Sequence, residues 1–326
     1  MHRQPNDMMR FMARFGWLLG LLLPLVVGGC AAGPAHRSGP VGYGHPFYKH
    51  VRHLPENQAE MPTAQDKPTA PSRKMSAQEL EQHGDSLLHR GHLAGAYAKY
   101  EQALAKRPDN QDIQVKMARV LTMGGFYDDA LKLLKTVIHR QPNAAAAWEV
   151  MGIVQFGKGT YAKAREYFGK TLAIDPNRWQ AYNYQGQIYD IQKEHIMAAR
   201  AFGKAIALQP RQGFLHNNLG VSNALAGRHR RAVKAFRQAI RLKYTSAKVF
   251  NNLGTSLAAL GRYAEAFEAF KKGVGEARAH NNLGCMYMLA GRFEAAIQSF
   301  ERAIAMTPHF YTVAYDNLKK AEVAIQ

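Results

Sequence analysis

Small and bulky apolar positions follow one another along most of this chain in a fixed order. Alanine recurs at Ala96, Ala130, Ala164, Ala198, Ala232, Ala266 and Ala296, in five steps of 34 residues and a last one of 30. Twelve residues before each stands a small residue (Gly84, Ala118, Gly152, Gly186, Gly220, Gly254, Gly284), and four after it a bulky apolar one (Tyr100, Leu134, Phe168, Phe202, Phe236, Phe270, Phe300). Twelve after it, Pro108, Pro142, Pro176, Pro210 and Pro308 interrupt the pattern, because proline can neither donate to a helical ladder nor continue it. Gly91, Gly125, Gly159, Lys193, Gly227, Gly261 and Gly291 mark a turn within each period. Each period therefore predicts two helices joined by a turn. The small residue and the alanine let the two helices cross closely, and the bulky residue is expected to fill the seam between neighbouring hairpins. A repeat of this size builds a solenoid, in which each unit contacts only its neighbours and no single globular core has to form.

Period and residue types together resemble the tetratricopeptide repeat family over residues 77–310. The resemblance implies an all-α fold, a right-handed superhelix of seven repeats at 77–110, 111–144, 145–178, 179–212, 213–246, 247–276 and 277–310. Residues 311–326 are expected to cap it: Val313, Ala314, Leu318, Ala321 and Ile325 fall at helical spacing, and Asp316, Lys319, Lys320 and Glu322 give the outer face its polarity. The first repeat is the least typical, with His83 at an apolar position. In this family the first helix of each repeat lines a groove that binds peptides. The family's groove positions fall on Asn183, Asn217, Asn251 and Asn281 in one row and on Asn218, Asn252 and Asn282 beside it. An amide both donates and accepts, so such a row suits the backbone of an extended peptide of any sequence. It is similar to the asparagine ladder of the O-GlcNAc transferase superhelix. Asn-Asn-Leu-Gly is equally the family consensus, so ligand ladder and consensus habit both stand at this point. The alternating basic residues and asparagines of a chaperone-type carboxylate clamp are absent from these positions.

The first 29 residues read differently. Arg3, Arg10 and Arg14 precede an apolar run from Phe15 to Val27, the plan of an export signal. Val27-Gly28-Gly29-Cys30 resembles a bacterial lipobox, which implies acylation of Cys30 and its becoming the first mature residue. Ala31 after the cysteine favours, by the same resemblance, the periplasmic face of the outer membrane over the inner membrane. The alternative is a retained membrane anchor, against which Gly16, Gly20, Pro24, Gly28 and Gly29 argue. Residues 30–76 hold seven of the chain's 14 prolines and no apolar periodicity, the composition of a disordered tether. Such a chain spans roughly 35–40 Å on average. His36, His45, His50 and His53 lie there without cysteine or acid at ligand spacing, so no metal is expected.

Charge adds one feature. The chain carries 43 Lys and Arg against 24 Asp and Glu, a net charge of +19, which favours acidic partners or anionic surfaces. Between His195 and Ala264 there is no acidic residue but twelve basic ones. Arg230, Lys234, Arg237 and Arg241 share one helical face, opposite Ala232, Phe236, Ala239 and Ile240, and should form a basic stripe on the convex side. It reads either as a solvated helix face or as a contact for anionic headgroups or an acidic partner. Nucleic acid is not an expected partner of an exported chain.

No phosphate loop, zinc-protease or nucleophile-elbow motif occurs, so neither catalysis nor a cofactor is expected. The segment Gly273-Val274-Gly275-Glu276-Ala277-Arg278-Ala279-His280-Asn281-Asn282-Leu283-Gly284 shortens one repeat join. It resembles a late-repeat segment of the lipoproteins of Tad-type (Flp) pilus assembly, and a lipoprotein signal with such repeats is similar to type IV pilotins. The resemblance implies a lipid-anchored scaffold with secretin or other pilus assembly proteins as partners. The rival readings are an envelope adaptor for peptidoglycan enzymes and an inner-membrane-anchored protein of a maturation complex.

Overall fold

The computed structural model describes residues 75–307 and 311–325. The export signal, Cys30 and the tether as far as Lys74 lie outside the described residues. The described chain forms fifteen α-helices and no strand. They are α1 (Ala77–His89), α2 (Leu93–Lys106), α3 (Gln111–Met123), α4 (Tyr127–Arg140), α5 (Ala145–Gly157), α6 (Tyr161–Ile174), α7 (Trp179–Ile191) and α8 (His195–Leu208). Beyond them lie α9 (Gly213–Leu225), α10 (His229–Arg241), α11 (Ala247–Ala258), α12 (Tyr263–Val274), α13 (Glu276–Leu289), α14 (Phe293–Ala305) and α15 (Thr312–Val323). This is the expected α-solenoid.

Local chemistry sets where helices begin and end. Ser76, placed by sequence at the end of the tether, caps α1: its hydroxyl accepts from the Glu79 backbone at 3.2 Å, and Glu79 Oε2 accepts from the Ser76 backbone at 2.7 Å. That reciprocal box satisfies two of the donors every helix start leaves open. α2, α4, α6 and α8 each end two residues before Pro108, Pro142, Pro176 and Pro210. The hairpin turns pass through the left-handed region at glycine, except at Lys193, where φ is +62°.

The helices fall into two compact units, divided within α7 between Ile188 and Tyr189. In the first, Leu80, Ala96, Tyr100, Ala103, Ile113 and Met117 form one buried cluster, and Ala118, Leu134, Val137, Val150 and Val154 a second. In the second unit Phe236, Val249, Leu253, Leu257, Phe270, Leu283 and Met286 share a cluster. Burying each such side chain contributes about 1.5–3 kcal/mol.

Gly84, Gly152, Gly220, Gly254 and Gly284, each twelve residues before an alanine, face the aromatic ring of their own hairpin. A Cβ placed on Gly84 would meet Tyr100 at 2.6 Å, one on Gly152 would meet Phe168 at 2.6 Å, and one on Gly220 would meet Phe236 at 2.5 Å. The ring thus occupies the space left by the missing side chain. It is the lock within a hairpin as well as a wall of the cluster shared with the next.

At the short join, one residue separates α12 from α13. Gly275 ends the first helix and starts the second with φ +85° and ψ 168°, a conformation that essentially only glycine adopts. Lys271 and Glu276 bridge the join at 2.9 Å. α15 packs on α14 and touches α13, burying Ala314 and Ala321 and turning Lys319, Lys320 and Glu322 outward.

Candidate partner-binding groove

In the first unit, the inner positions of the first helices carry charges that bind one another. Lys116 on α3 reaches Glu81 at 2.7 Å and Asp85 at 2.8 Å on α1. Burial lowers the lysine's pKa, but its hydrogen bonds to Asp85 and Glu81 outweigh that and leave it raised. Tyr100 donates its hydroxyl to Asp85 at 2.7 Å; burial and that carboxylate push its pKa up. On α5, Glu149 is 0% exposed. Its Oε2 faces Arg119 at 3.3 Å and Arg178 at 3.5 Å, while its Oε1 is buried without a partner. Burial raises its pKa, against the pull of the two guanidinium groups. A cavity of about 310 Å³ lies beside Arg178, lined also by Asp112, Val115, Asn143 and Asp175. This charged set was missed in sequence. The signal existed: Glu81, Val115 and Glu149 occupy the register that Asn183, Asn217, Asn251 and Asn281 continue.

Asn183 sits on α7 in the first unit and is buried. The other predicted asparagines belong to the second unit, on α9, α11 and α13, where α9 touches α11 and α11 touches α13. They are not equivalent. Asn217 and Asn218 are only 8% and 4% exposed, and Asn217 Nδ2 donates to Asn218 Oδ1 at 3.4 Å. Asn251, Asn252 and Asn282 are half-buried. Buried amide atoms of Asn217 (Oδ1), Asn251 (Oδ1) and Asn281 (Nδ2) have no hydrogen-bond partner, a costly state for polar groups out of water.

Asn281 corrects the sequence reading. It is 0% exposed, because α15 covers it: Asn317 Nδ2 donates to its Oδ1 at 3.1 Å. The same Asn317 nitrogen lies 3.6 Å from Cys285 Sγ. The row therefore closes at the C-terminal helix, and Asn251, Asn252 and Asn282 are its accessible members.

One triplet resembles a catalytic set only by composition. Asp190 accepts from Ser222 at 2.6 Å and contacts His195 Nδ1 at 2.9 Å. The carboxylate is in the middle, whereas a serine–histidine–acid triad places the histidine between serine and acid. Ser222 is also fully buried, so the triplet ties α7, α8 and α9 together.

Outside the groove, Arg230, Lys234, Arg237 and Arg241 are all exposed on α10. Arg237 is held by Glu265 of α12 at 2.9 Å, and Arg262 holds the same carboxylate at 2.7 Å. Arg230, Lys234 and Arg241 make no ion pair among the described residues.

Tetratricopeptide repeat profiles match residues 87–152, 197–243, 226–277 and 277–310, together more than half of the chain. The chain belongs to the tetratricopeptide repeat family, whose fold builds protein-binding scaffolds. No curated protein sequence matches it. Among solved structures it is similar to pilF of Pseudomonas aeruginosa, at 18% identity over 67% of this chain and 98% of that one, with a TM-score of 0.50. It is similar to a tetratricopeptide repeat protein from Parabacteroides merdae at 17% identity over 76% and 98%, TM-score 0.47. YrrB, described as having an unusual peptide-binding site, matches at 22% identity over 57% and 97%, TM-score 0.48. At these identities the likeness is one of fold.

Proposed function

We propose that this chain is an exported, lipid-anchored scaffold of the bacterial envelope that holds a segment of a pilus or secretion assembly protein. The observation that carries it is the pairing of two sequence features: an export signal ending in Val27-Gly28-Gly29-Cys30, and a tetratricopeptide array behind a proline-rich tether. The acyl chains hold the array at the outer membrane, and more than one chain suffices for stable anchoring. The partner lies along α11 and α13, where the half-buried amides of Asn251, Asn252 and Asn282 meet its backbone. The Tad-type assignment rests on the segment from Gly273 to Gly284, which in this chain contains the one-residue join at Gly275.

Mass spectrometry of the mature protein tests the anchor. An N-terminus at acylated Cys30 is expected, and an unprocessed Met1 overturns the reading. Affinity purification of the anchored protein tests the partner: secretin or pilus assembly proteins are expected, and peptidoglycan enzymes would assign the scaffold to cell-wall machinery instead. Asn252→Ala with Asn282→Ala is expected to weaken that capture roughly tenfold, about one net hydrogen bond, with an unchanged helical spectrum.

A further inference from the structure

The acid-free stretch becomes a surface once folded. It spans α8 to α11, bordered by Glu194 before α8 and by Glu265 and Glu268 on α12. α8 and α10 both pack on α9, and each turns basic residues outward: Arg200 and Lys204 on α8, Arg230, Arg231, Lys234 and Arg241 on α10. Arg237 alone of the stripe is neutralised, by Glu265 at 2.9 Å. The free members run from Arg230 to Arg241, a straight line of about 16 Å at 1.5 Å per residue.

What this face lacks decides its partner. Among residues 195–262 no aromatic side chain is exposed; the large exposed apolar residues are Ile196 and Met197, at 44% and 38%. Single-stranded nucleic acid needs aromatic stacking platforms, and protein hot spots centre on buried aromatic anchors in pockets. The unpaired Arg230, Lys234 and Arg241 on α10, with the exposed aliphatic Ile196 and Met197 on α8, instead have the make-up of an interfacial surface, where headgroups meet the charges and short apolar chains enter the boundary. Ile196, Arg200 and Lys204 share one line on α8 at i, i+4 and i+8.

We propose that the outer face of α8 and α10, centred on Arg230, Lys234 and Arg241, rests against an anionic lipid surface. This is a second membrane contact, distinct from the acyl anchor. The choice of a bilayer over an acidic protein rests in part on the lipoprotein reading above. The contact leaves the first helices, and so the groove, outside the lipid-facing side of these hairpins.

The test uses the full chain carrying Cys30→Ser, so that no acyl group contributes. Co-flotation is measured with phosphatidylcholine vesicles, with and without phosphatidylglycerol. Binding through the N-terminus, whose Arg3, Arg10 and Arg14 also favour phosphatidylglycerol, is common to all variants, and a chain lacking residues 1–29 measured in parallel supplies the phosphatidylglycerol-dependent part of the array alone. The phosphatidylglycerol-dependent part is expected to fall on the order of 100-fold in R230Q/K234Q/R241Q, since each basic residue near such a surface contributes about fivefold. K132Q/K163Q/R165Q removes three exposed charges elsewhere and is expected to lose far less. Equal loss in the two triple variants would reduce the effect to net charge and overturn the proposal. So would an unchanged R230Q/K234Q/R241Q, or preference for polyglutamate over phosphatidylglycerol vesicles at the same salt. Circular dichroism melts of both variants report folding separately. A mature wild-type protein that lacks the acyl group defeats the anchor without touching these vesicle arms.

Discussion

The two units use one scaffold and fill its inner row with opposite chemistry. In the first, Lys116 is shared between Glu81 and Asp85, and Glu149 lies between Arg119 and Arg178. In the second, the register of Glu81 and Glu149, which already turns to amide at Asn183, holds Asn217, Asn251 and Asn281. A buried ion pair offsets its desolvation only with good geometry and further hydrogen bonds; the first unit's inner charges are occupied with each other except at Glu149 Oε1, which is buried without a partner. In the second unit the row is uncharged and leaves Asn217 Oδ1, Asn251 Oδ1 and Asn281 Nδ2 unmet. The difference teaches that period and binding chemistry are set by different positions. Glycine, alanine and the aromatic ring fix the hairpin; the row between them is free to bridge hairpins or to meet a partner.

The strongest way to break this comparison is to show that the scaffolds differ after all. Phe168 and Phe236 are fully buried, each against the glycine of its own hairpin. Phe168→Ala and Phe236→Ala should each cost about 3–5 kcal/mol, read as equal shifts in urea unfolding monitored by helical circular dichroism. A repeat array need not unfold in one step, so the shift is read in the transition that moves. A large loss at one site and none at the other would mean that the units do not share a core design.

The irregular join comes next. Gly275→Ala forces a side chain into a conformation that costs about 1–3 kcal/mol, because φ there is +85°. Gly203 is the contrast: it lies within α8 with open space around its Cα, and Gly203→Ala should stabilise by roughly 0.5–1 kcal/mol. If both alanines stabilise, the short join is slack and the late repeat is not set by that residue.

Fold was legible because it repeats: five equal steps and an aromatic in most of them leave little else to propose. The turn at Lys193 was legible for the same reason, and the last helix from the helical spacing of its apolar residues. The site was half legible. Asn217, Asn251 and Asn281 stood out as a row, but burial depends on which helix packs over each residue, and nothing near Asn281 in sequence announces that Asn317 covers it. The charge set of the first unit escaped because its members differ at each repeat: Glu81, Lys116, Arg119 and Glu149 share a role and no residue type. The basic stripe was legible as four residues. The removal of Arg237 from it required the position of Glu265 on the next hairpin.

The smallest predicted effect separates the units by pH. Burial holds the Glu149 carboxyl above the ordinary glutamate value of 4.5. As pH rises from that value, the unfolded chain loses its proton first and the folded state is left with the extra one, so stability falls until the folded group ionises too. Glu149→Gln removes this dependence. Asp128 and Asp175, whose pKa values are lowered by Lys158 and by the Asn177 backbone respectively, act with the opposite sign but are present in both chains and largely cancel. Wild type minus variant should therefore decline over the window just above 4.5 in thermal melts taken at successive pH values, and be flat below it. A difference that stays flat throughout would show that Arg119 and Arg178 fully offset the burial of Glu149, and one that rises with pH below 4.5 would show that they overcome it. Asn217→Asp puts a carboxylate at the matching register of the second unit and should give a larger total decline, beginning from the ordinary aspartate value of 3.8. An equal or smaller decline there would erase the distinction between the charged row and the amide row.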